Sequence, residues 1–430
     1  MNNKKFYLIL SILLVLLSKN VFPQNHEQYL FVGHTYRGPY LIDTRLEELD
    51  TDIFKYIWLG GDICSDTFLD YQSLDYLQQH LNICGEHNYW SLGNHDARNG
   101  NIDWYSDFTE KKTYYADYFP NISAFVFDTN LSPGDCENLD NQYRQFVNLC
   151  DTISQSSYLL LFFHWGLWYD VPGIPQPGHY CHSSLKYWNA NCDSVNNNFV
   201  NAVYPHLIEV QNKGIEVICI MGDMGASYKS IDYVSDHGIR FLGCGLYNHR
   251  TENINERYAE NNDRVLVFDH NIDADILTYE YQDLDSLLHV QKGWTYLTKH
   301  EFSNSDSYDS ANIVNEYADN YVYLLSPDDS LEVLNKEINF QETVEISFTL
   351  AVEAQEEFDG FLSAEFSYLD SNNNIVNEES YPIENILYNE WQYNYYGFNV
   401  NGNNFTRMQC VLKSDLSTPV KLNNIILMYK

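Results

Sequence analysis

Basic residues are scarce in this chain: 24 Lys and Arg stand against 60 Asp and Glu, a formal charge of -36 at pH 7. A surface this acidic repels a phosphate backbone, which argues against nucleic acid as the main partner. The imbalance is steepest after residue 300, with 22 acidic residues against 5 basic ones, the pattern of a solvated surface. The nine cysteines contain no CxxC pair, so a thiolate zinc site of that spacing is not expected. Long apolar runs are also missing. The one extended run, "FYLILSILLVLL" from Phe6 to Leu17, has too few residues to span a bilayer.

That run follows Lys4 and Lys5 and precedes polar "SKNVFPQNHE", the layout of a secretory signal peptide over residues 1–24. The protein is therefore expected to be secreted, periplasmic or at the cell surface. No cysteine follows the run until Cys64, which argues against a lipid-modified mature N-terminus. An exported chain can hold disulfides, and the close pairs Cys136/Cys150 and Cys181/Cys192 bracket loop-like segments. Cys219 and Cys244 lie in apolar runs and read as small packed hydrophobes. An odd count leaves at least one thiol free or paired between chains.

At 430 residues the chain exceeds one core, and two domains are expected, over 25–283 and 303–430, with 284–302 as a connection. In the first, short apolar runs stop repeatedly at a residue able to bind metal: "YLFVGH" at His34, "YIWLGGD" at Asp62, "YWSLGNH" at His95, "LLLFFHW" at His164 and "VICIMGD" at Asp223. Such runs read as buried strands. Helical patterns lie between them, at Asn141 to Ile153 and Phe199 to Gly214. Alternating strands and helices predict an α/β domain whose ligands gather at the carboxyl ends of the strands. Each residue alone also fits a turn or a cap. Five at five strand ends point to one shared site.

"GGD" (Gly60 to Asp62), "GNHD" (Gly93 to Asp96) and the strand-terminal His164 together resemble the signature of the calcineurin-like metallophosphoesterases. The resemblance covers roughly residues 28 to 270. It implies a four-layer α/β/β/α sandwich that hydrolyses phosphate mono- or diesters with metal-activated water. It implies Asp62, Asn94 and His164 as ligands of a divalent manganese, iron or zinc ion, and His95 as proton donor or oxyanion stabiliser, oriented by Asp96. These residue types suit that chemistry, since carboxylate, amide oxygen and imidazole are hard or borderline donors.

Two motifs depart from the family. Val32 stands where the first motif has aspartate, and "GDMG" replaces Gly-His-x-His, putting Asp223 and Gly225 in the histidine positions. Ligand counting then leaves one metal position with His34 and Asp62 only. The other keeps Asp62, Asn94 and His164 and gains Asp223, so one well-held ion is expected, with His34 also placed to touch substrate. The alternative is a degenerate relative that binds metal or phosphoglycan without turnover. Arg37 and "YNHR", with His249 and Arg250, follow strand ends and can supply phosphate contacts. His179 and His182 in "PGIPQPGHYCHSS" either wall a substrate pocket or belong to a surface loop. A phosphorylated small molecule or phosphoglycan is the expected substrate.

After residue 303 the period turns strand-like, as in "VEISFTLAV", "GFLSAEFSYL" and "WQYNYYGFNV", with Asn-rich turns between. This predicts an all-β sandwich. Its ending loosely resembles jelly-roll carbohydrate-binding modules, whose aromatics stack on sugars. The same alternation also fits a sandwich core.

Overall fold

The computed structural model describes residues 26–98, 100–131, 135–175, 198–224, 230–246, 263–300, 313–317, 320–338, 340, 343–354, 356–383, 386, 392–401 and 405–430. The segment read as a signal peptide lies outside them. In chain order the first region runs β1 (His26–Val32), β2 (Tyr36–Gly38), β3 (Leu41–Ile42), α1 (Thr44–Glu48), β4 (Tyr56–Leu59), α2 (Gln72–Leu81), α3 (Asn94–Ala97), α4 (Asp103–Thr109), β5 (Tyr115–Phe119), β6 (Ile122–Val126), α5 (Cys136–Thr152), β7 (Tyr158–Phe163), α6 (Phe199–Ala202), α7 (Tyr204–Asn212), β8 (Glu216–Met221), β9 (Ser230–Val234), β10 (Arg240–Cys244), β11 (Arg264–Asn271) and β12 (Ile276–Asp283).

Two sheets result, ordered β12-β11-β1-β4 and β5-β6-β7-β8-β10-β9. β1 and β4 are parallel, as are β6, β7, β8 and β10. Successive side chains of a strand point to opposite faces, and here both faces are buried, which is why the runs are apolar throughout. Tyr29, Phe31 and Trp58 of one sheet share a core with Phe162, Ile220 and Leu242 of the other. The alternate residues Leu30, Val32 and Leu59 pack with Leu46 of α1 and Leu74 and Leu77 of α2. Leu161, Phe163 and Cys219 pack with Phe146 and Leu149 of α5 and Leu207 of α7.

Three local expectations change. Cys136 and Cys150 sit near opposite ends of the single helix α5, about 21 Å apart at 1.5 Å rise per residue, beyond disulfide reach. Cys150 is a buried free thiol, while Cys136 is disulfide-bonded; Cys181 and Cys192 lie outside the described residues. The helix expected over Phe199 to Gly214 is divided into α6 and α7, because Pro205 falls in the first turn of α7, where its missing N–H is tolerated. The "YWSLGNH" run is not a full strand: Trp90 makes one parallel bridge to Leu59 before α3 begins.

Residues 284–302, read as a connection, contain α8 (Leu284–Gln291) and β13 (Thr295–His300). Asp283 caps α8 by accepting from the Ser286 N–H at 2.8 Å, and Leu284, Leu287 and Leu288 join the α1/α2 core. β13 pairs with the last strand of the chain.

The second region runs β14 (Ile313–Tyr317), β15 (Asn320–Leu325), β16 (Ser330–Glu337), β17 (Thr343–Ala354), β18 (Leu362–Leu369), β19 (Ile375–Ile383), β20 (Gln392–Asn401), β21 (Arg407–Ser414) and β22 (Val420–Tyr429). Its sheets are β14-β15-β22-β17-β20 and β16-β21-β18-β19. Alternate residues Ile346, Phe348 and Leu350 of β17 meet Leu362, Ala364 and Phe366 of β18 in one core. This is a β-sandwich. Tyr396 and Phe398 of β20 pack onto that core, with the Phe398 ring stacked 4.7 Å from Tyr381, so this face of the aromatic strand serves packing. Among the described residues no helix is long and apolar enough to cross a membrane.

Candidate metal centre

The carboxyl ends of β1, β4, β7 and β8, with the turn into α3, bring His34, Asp62, His164, Asp223 and Asn94 together. Glycines make this approach possible. A Cβ on Gly222 would lie 2.1 Å from the Gly60 carbonyl oxygen, and one on Gly93 would lie 2.0 Å from Asp62 Oδ1, so side chains are excluded where the strand ends cross. His34 and Asp62 take left-handed backbone conformations, φ 52° and 54°, uncommon for residues with a Cβ and typical of strained functional positions. Their geometry is held by the His34 N–H donating to Gly61 O at 2.9 Å and the Thr35 N–H to Asp62 O at 3.0 Å.

Both imidazoles are oriented from behind. His34 Nδ1 lies 3.0 Å from Leu246 O and His164 Nδ1 lies 2.7 Å from Gly60 O. A carbonyl can only accept, so Nδ1 carries the proton in each ring and Nε2 is left as the donor atom. Ligand atoms of His34, Asp62 and Asp223 all lie within 4.8 Å of one another. His164 Nε2 faces Asn94 Oδ1 at 3.2 Å, Asp62 Oδ1 at 3.5 Å and Asp223 Oδ1 at 4.0 Å. Three oxygens around one imine nitrogen call for a positive charge. Burial opposes charge on His164, but Asp62 and then Asp223 outweigh it and hold its pKa above the ordinary 6.5. The same arrangement fits a divalent cation, with neutral imidazole nitrogens and carboxylates as ligands.

The family comparisons do not name this arrangement. No family model matches the chain, and no curated protein matches it. Three solved structures give distant likenesses. A family 16 carbohydrate-binding module is 14% identical, covering 25% of this chain and 76% of that one, with a TM-score of 0.20. The VP2 subviral particle of infectious bursal disease virus is 8% identical over 31% of this chain and 32% of that one, TM-score 0.23. The modules of a Clostridium thermocellum endo-1,4-beta-D-xylanase are 14% identical over 32% and 26%, TM-score 0.21. The chain thus spans about a third of the length of the viral capsid protein. Scores this low carry no argument about what the protein does.

Asp96 does not orient the His95 imidazole. It is fully buried and its carboxylate is taken up by backbone: Oδ2 accepts from the N–H groups of Asp62 and Gly93, both at 2.8 Å, and Oδ1 from Ile63 N–H at 3.1 Å and the Thr67 hydroxyl at 2.5 Å. Asp96 therefore ties the Asp62 turn to the Asn94 turn. Burial first, and then the Asp62 charge, raise its pKa above the usual carboxylate range.

His95 is held by other groups. Its Nδ1 lies 3.1 Å from Ser65 O, and its ring stacks on Tyr36, centroids 4.8 Å apart. Tyr36 also packs against the His34 ring at 4.7 Å. Arg98 Nη2 lies across both ring nitrogens, 2.6 Å from His95 Nδ1 and 3.0 Å from Nε2, and the His95 backbone N–H donates to Asp62 Oδ1 at 2.8 Å. Asn94 Oδ1 also accepts from Trp165 Nε1 at 3.1 Å.

Tyr36, Arg98 and Trp165 were not singled out by sequence. Trp165 directly follows His164 and Arg98 lies one helical turn after His95, the only signals available. Arg37 Nη2 lies 3.3 Å from Glu47 Oε1. Asp223 joins His34 and Asp62, so three residues able to bind metal gather where sequence counting expected two. His179, His182, His249, Arg250 and Gly225 lie outside the described residues.

Proposed function

We propose that this chain is an exported, metal-dependent hydrolase of phosphate mono- or diesters, built as an α/β/β/α metallophosphoesterase sandwich joined to a β-sandwich. One observation carries the reading. His34 and His164 each spend Nδ1 on a backbone carbonyl and keep Nε2 available beside the same two carboxylates, Asp62 and Asp223. His34, Asp62 and Asp223 would hold a divalent ion of the manganese, iron or zinc type, with Asn94 and His164 beside them. Such an ion polarises a phosphoryl oxygen and acidifies water. Two carboxylates balance one divalent charge, because Asp96 is consumed by backbone amides. We therefore expect one tightly held ion.

The remaining roles belong to the chain itself. His95, with Nε2 4.0 Å from Asp62 Oδ2 and its ring against Tyr36, is the group that would exchange a proton with the departing oxygen. Its own N–H holds Asp62 Oδ1 in place. Arg98, beside the His95 ring, is a candidate cation for a phosphate oxygen, as is Arg37. The proposed substrate is a phosphorylated small molecule or a phosphoglycan.

A second reading rests on Val32, which is fully buried and offers no donor where the related motif has aspartate: a protein that holds the ion or a phosphorylated ligand without turnover. Hydrolysis of an aryl phosphate mono- or diester with added manganese separates the two. Under the enzyme reading, Asp62→Ala abolishes turnover and His95→Ala lowers it by about 10²- to 10⁴-fold. A wild-type protein that binds manganese yet turns over neither ester refutes the enzyme reading.

A further inference from the structure

We propose a second divalent-cation site, on the helical layer outside the six-stranded sheet, formed by Asp151, His206 and Glu209. Their ligand atoms all lie within 4.8 Å of one another. Asp151 stands in the last turn of α5, and His206 and Glu209 are one turn apart on α7, where side chains at i and i+3 share a face.

The His206 ring is fixed from one side and open on the other. Its Nε2 lies 3.2 Å from the Tyr143 hydroxyl, and Phe146 packs edge-on against it with centroids 6.1 Å apart. Its Nδ1 is buried without a hydrogen-bond partner. The nearest carboxylate oxygen, Glu209 Oε2, is 3.8 Å away, too far to bond directly. A buried polar atom left unsatisfied costs free energy. A cation between Nδ1 and the two carboxylates removes that cost, with Nε2–H donating to Tyr143.

Charge argues the same way. Asp151 is an anion at the carboxyl end of a 17-residue helix, where the helix dipole disfavours it. Lys213 Nζ donates to the backbone carbonyls of Cys150 and Asp151, at 2.7 and 3.3 Å, and so caps the helix without pairing the carboxylates. One imidazole and two carboxylates form a neutralising set for zinc, cobalt or manganese, with water completing the shell. The bound ion would clip the end of α5 to α7, the two helices that cover one face of the sheet. This site is independent of the catalytic reading.

The test uses the full chain, stripped with chelator and titrated with zinc alone, followed by calorimetry and by thermal unfolding. Asp62→Ala/His34→Ala silences the first centre. That variant is expected still to bind zinc and to melt at a higher temperature when zinc is saturating. Adding His206→Ala should abolish both effects, and adding Glu209→Gln, which keeps the helix and the side-chain shape, should weaken binding by about tenfold or more. The proposal is overturned if the first-centre variant is folded by circular dichroism and binds no zinc. It is equally overturned if His206→Ala and Glu209→Gln leave its titration unchanged.

Discussion

In the first region β1, β4 and β8 each stop at a glycine and then present His34, Asp62 or Asp223, whereas strands of the sandwich turn back through polar hairpins such as Asp370 to Asn374. Parallel strands send their carboxyl ends to one side, so polar residues placed there accumulate. Antiparallel strands alternate direction and disperse them. The group His34, Asp62 and Asp223 lies at such strand ends, while the other group of possible metal ligands among the described residues, Asp151, His206 and Glu209, lies on helices of the same region. The sandwich spends its alternation on one continuous core. The same polar residue types thus act together or apart according to strand direction.

The sharpest way to break this contrast is through buried charge. Arg45 is buried and holds Asp43, Asp263 and Asp285 at 2.8, 2.5 and 2.9 Å, tying α1 to the start of β11 and to α8. Arg45→Ala strands those carboxylates and should cost about 3–5 kcal/mol. The sandwich pair Lys413 and Glu365 is largely exposed, and Lys413→Met should cost about 1 kcal/mol or less. Denaturant unfolding of both variants checks this, and equal losses would remove the distinction.

Small-to-larger substitutions probe the next level. Gly222→Ala pushes the end of β8 off Gly60 and should cost about 1–3 kcal/mol while also weakening metal binding. Ala364→Val in the sandwich core should cost a similar amount and leave metal affinity unchanged. Metal titration of each folded variant decides; a Gly222→Ala protein with native affinity would show that the strand crossing does not shape the centre.

The smallest effects concern pH. Burial, then the Asp285 carboxylate, lifts Asp283 from 3.8 to about 6. Its stabilising contribution is therefore complete below about pH 4 and lost as pH rises through about 6. Asp370, half-exposed in its turn, is held below 3.8, first by the Asn374 side chain and then by the Asn374 N–H. Its contribution is present above about pH 4 and lost as pH falls through its lowered pKa. Asp283→Asn should flatten the melting temperature between about pH 4 and 6, and Asp370→Asn only at the acid end. Melting curves across pH would refute this if the two variants changed the same window.

Much of the fold was legible because burial on both faces leaves an unmistakable apolar run. β1, β4, β7 and β8 fall where "YLFV", "YIWL", "LLLFF" and "VICIM" stand, and β17, β18 and β20 fall on alternating segments. Less legible was residue 284–302, since Leu284, Leu287 and Leu288 form too short a pattern to announce a packed helix. The cysteine spacing misled for a related reason: sequence distance says little until one knows that Cys136 and Cys150 share a rigid helix.

By itself, the sequence determined which segments are buried and that polar, metal-type residues follow them, because hydrophobic periodicity and glycine placement are local properties of the chain. Only the tertiary structure decided which of those residues meet. Asp96 went to backbone amides, Arg37 to Glu47, and Asp223 to His34 and Asp62, because each carboxylate or guanidinium is settled by the nearest competing partner in three dimensions.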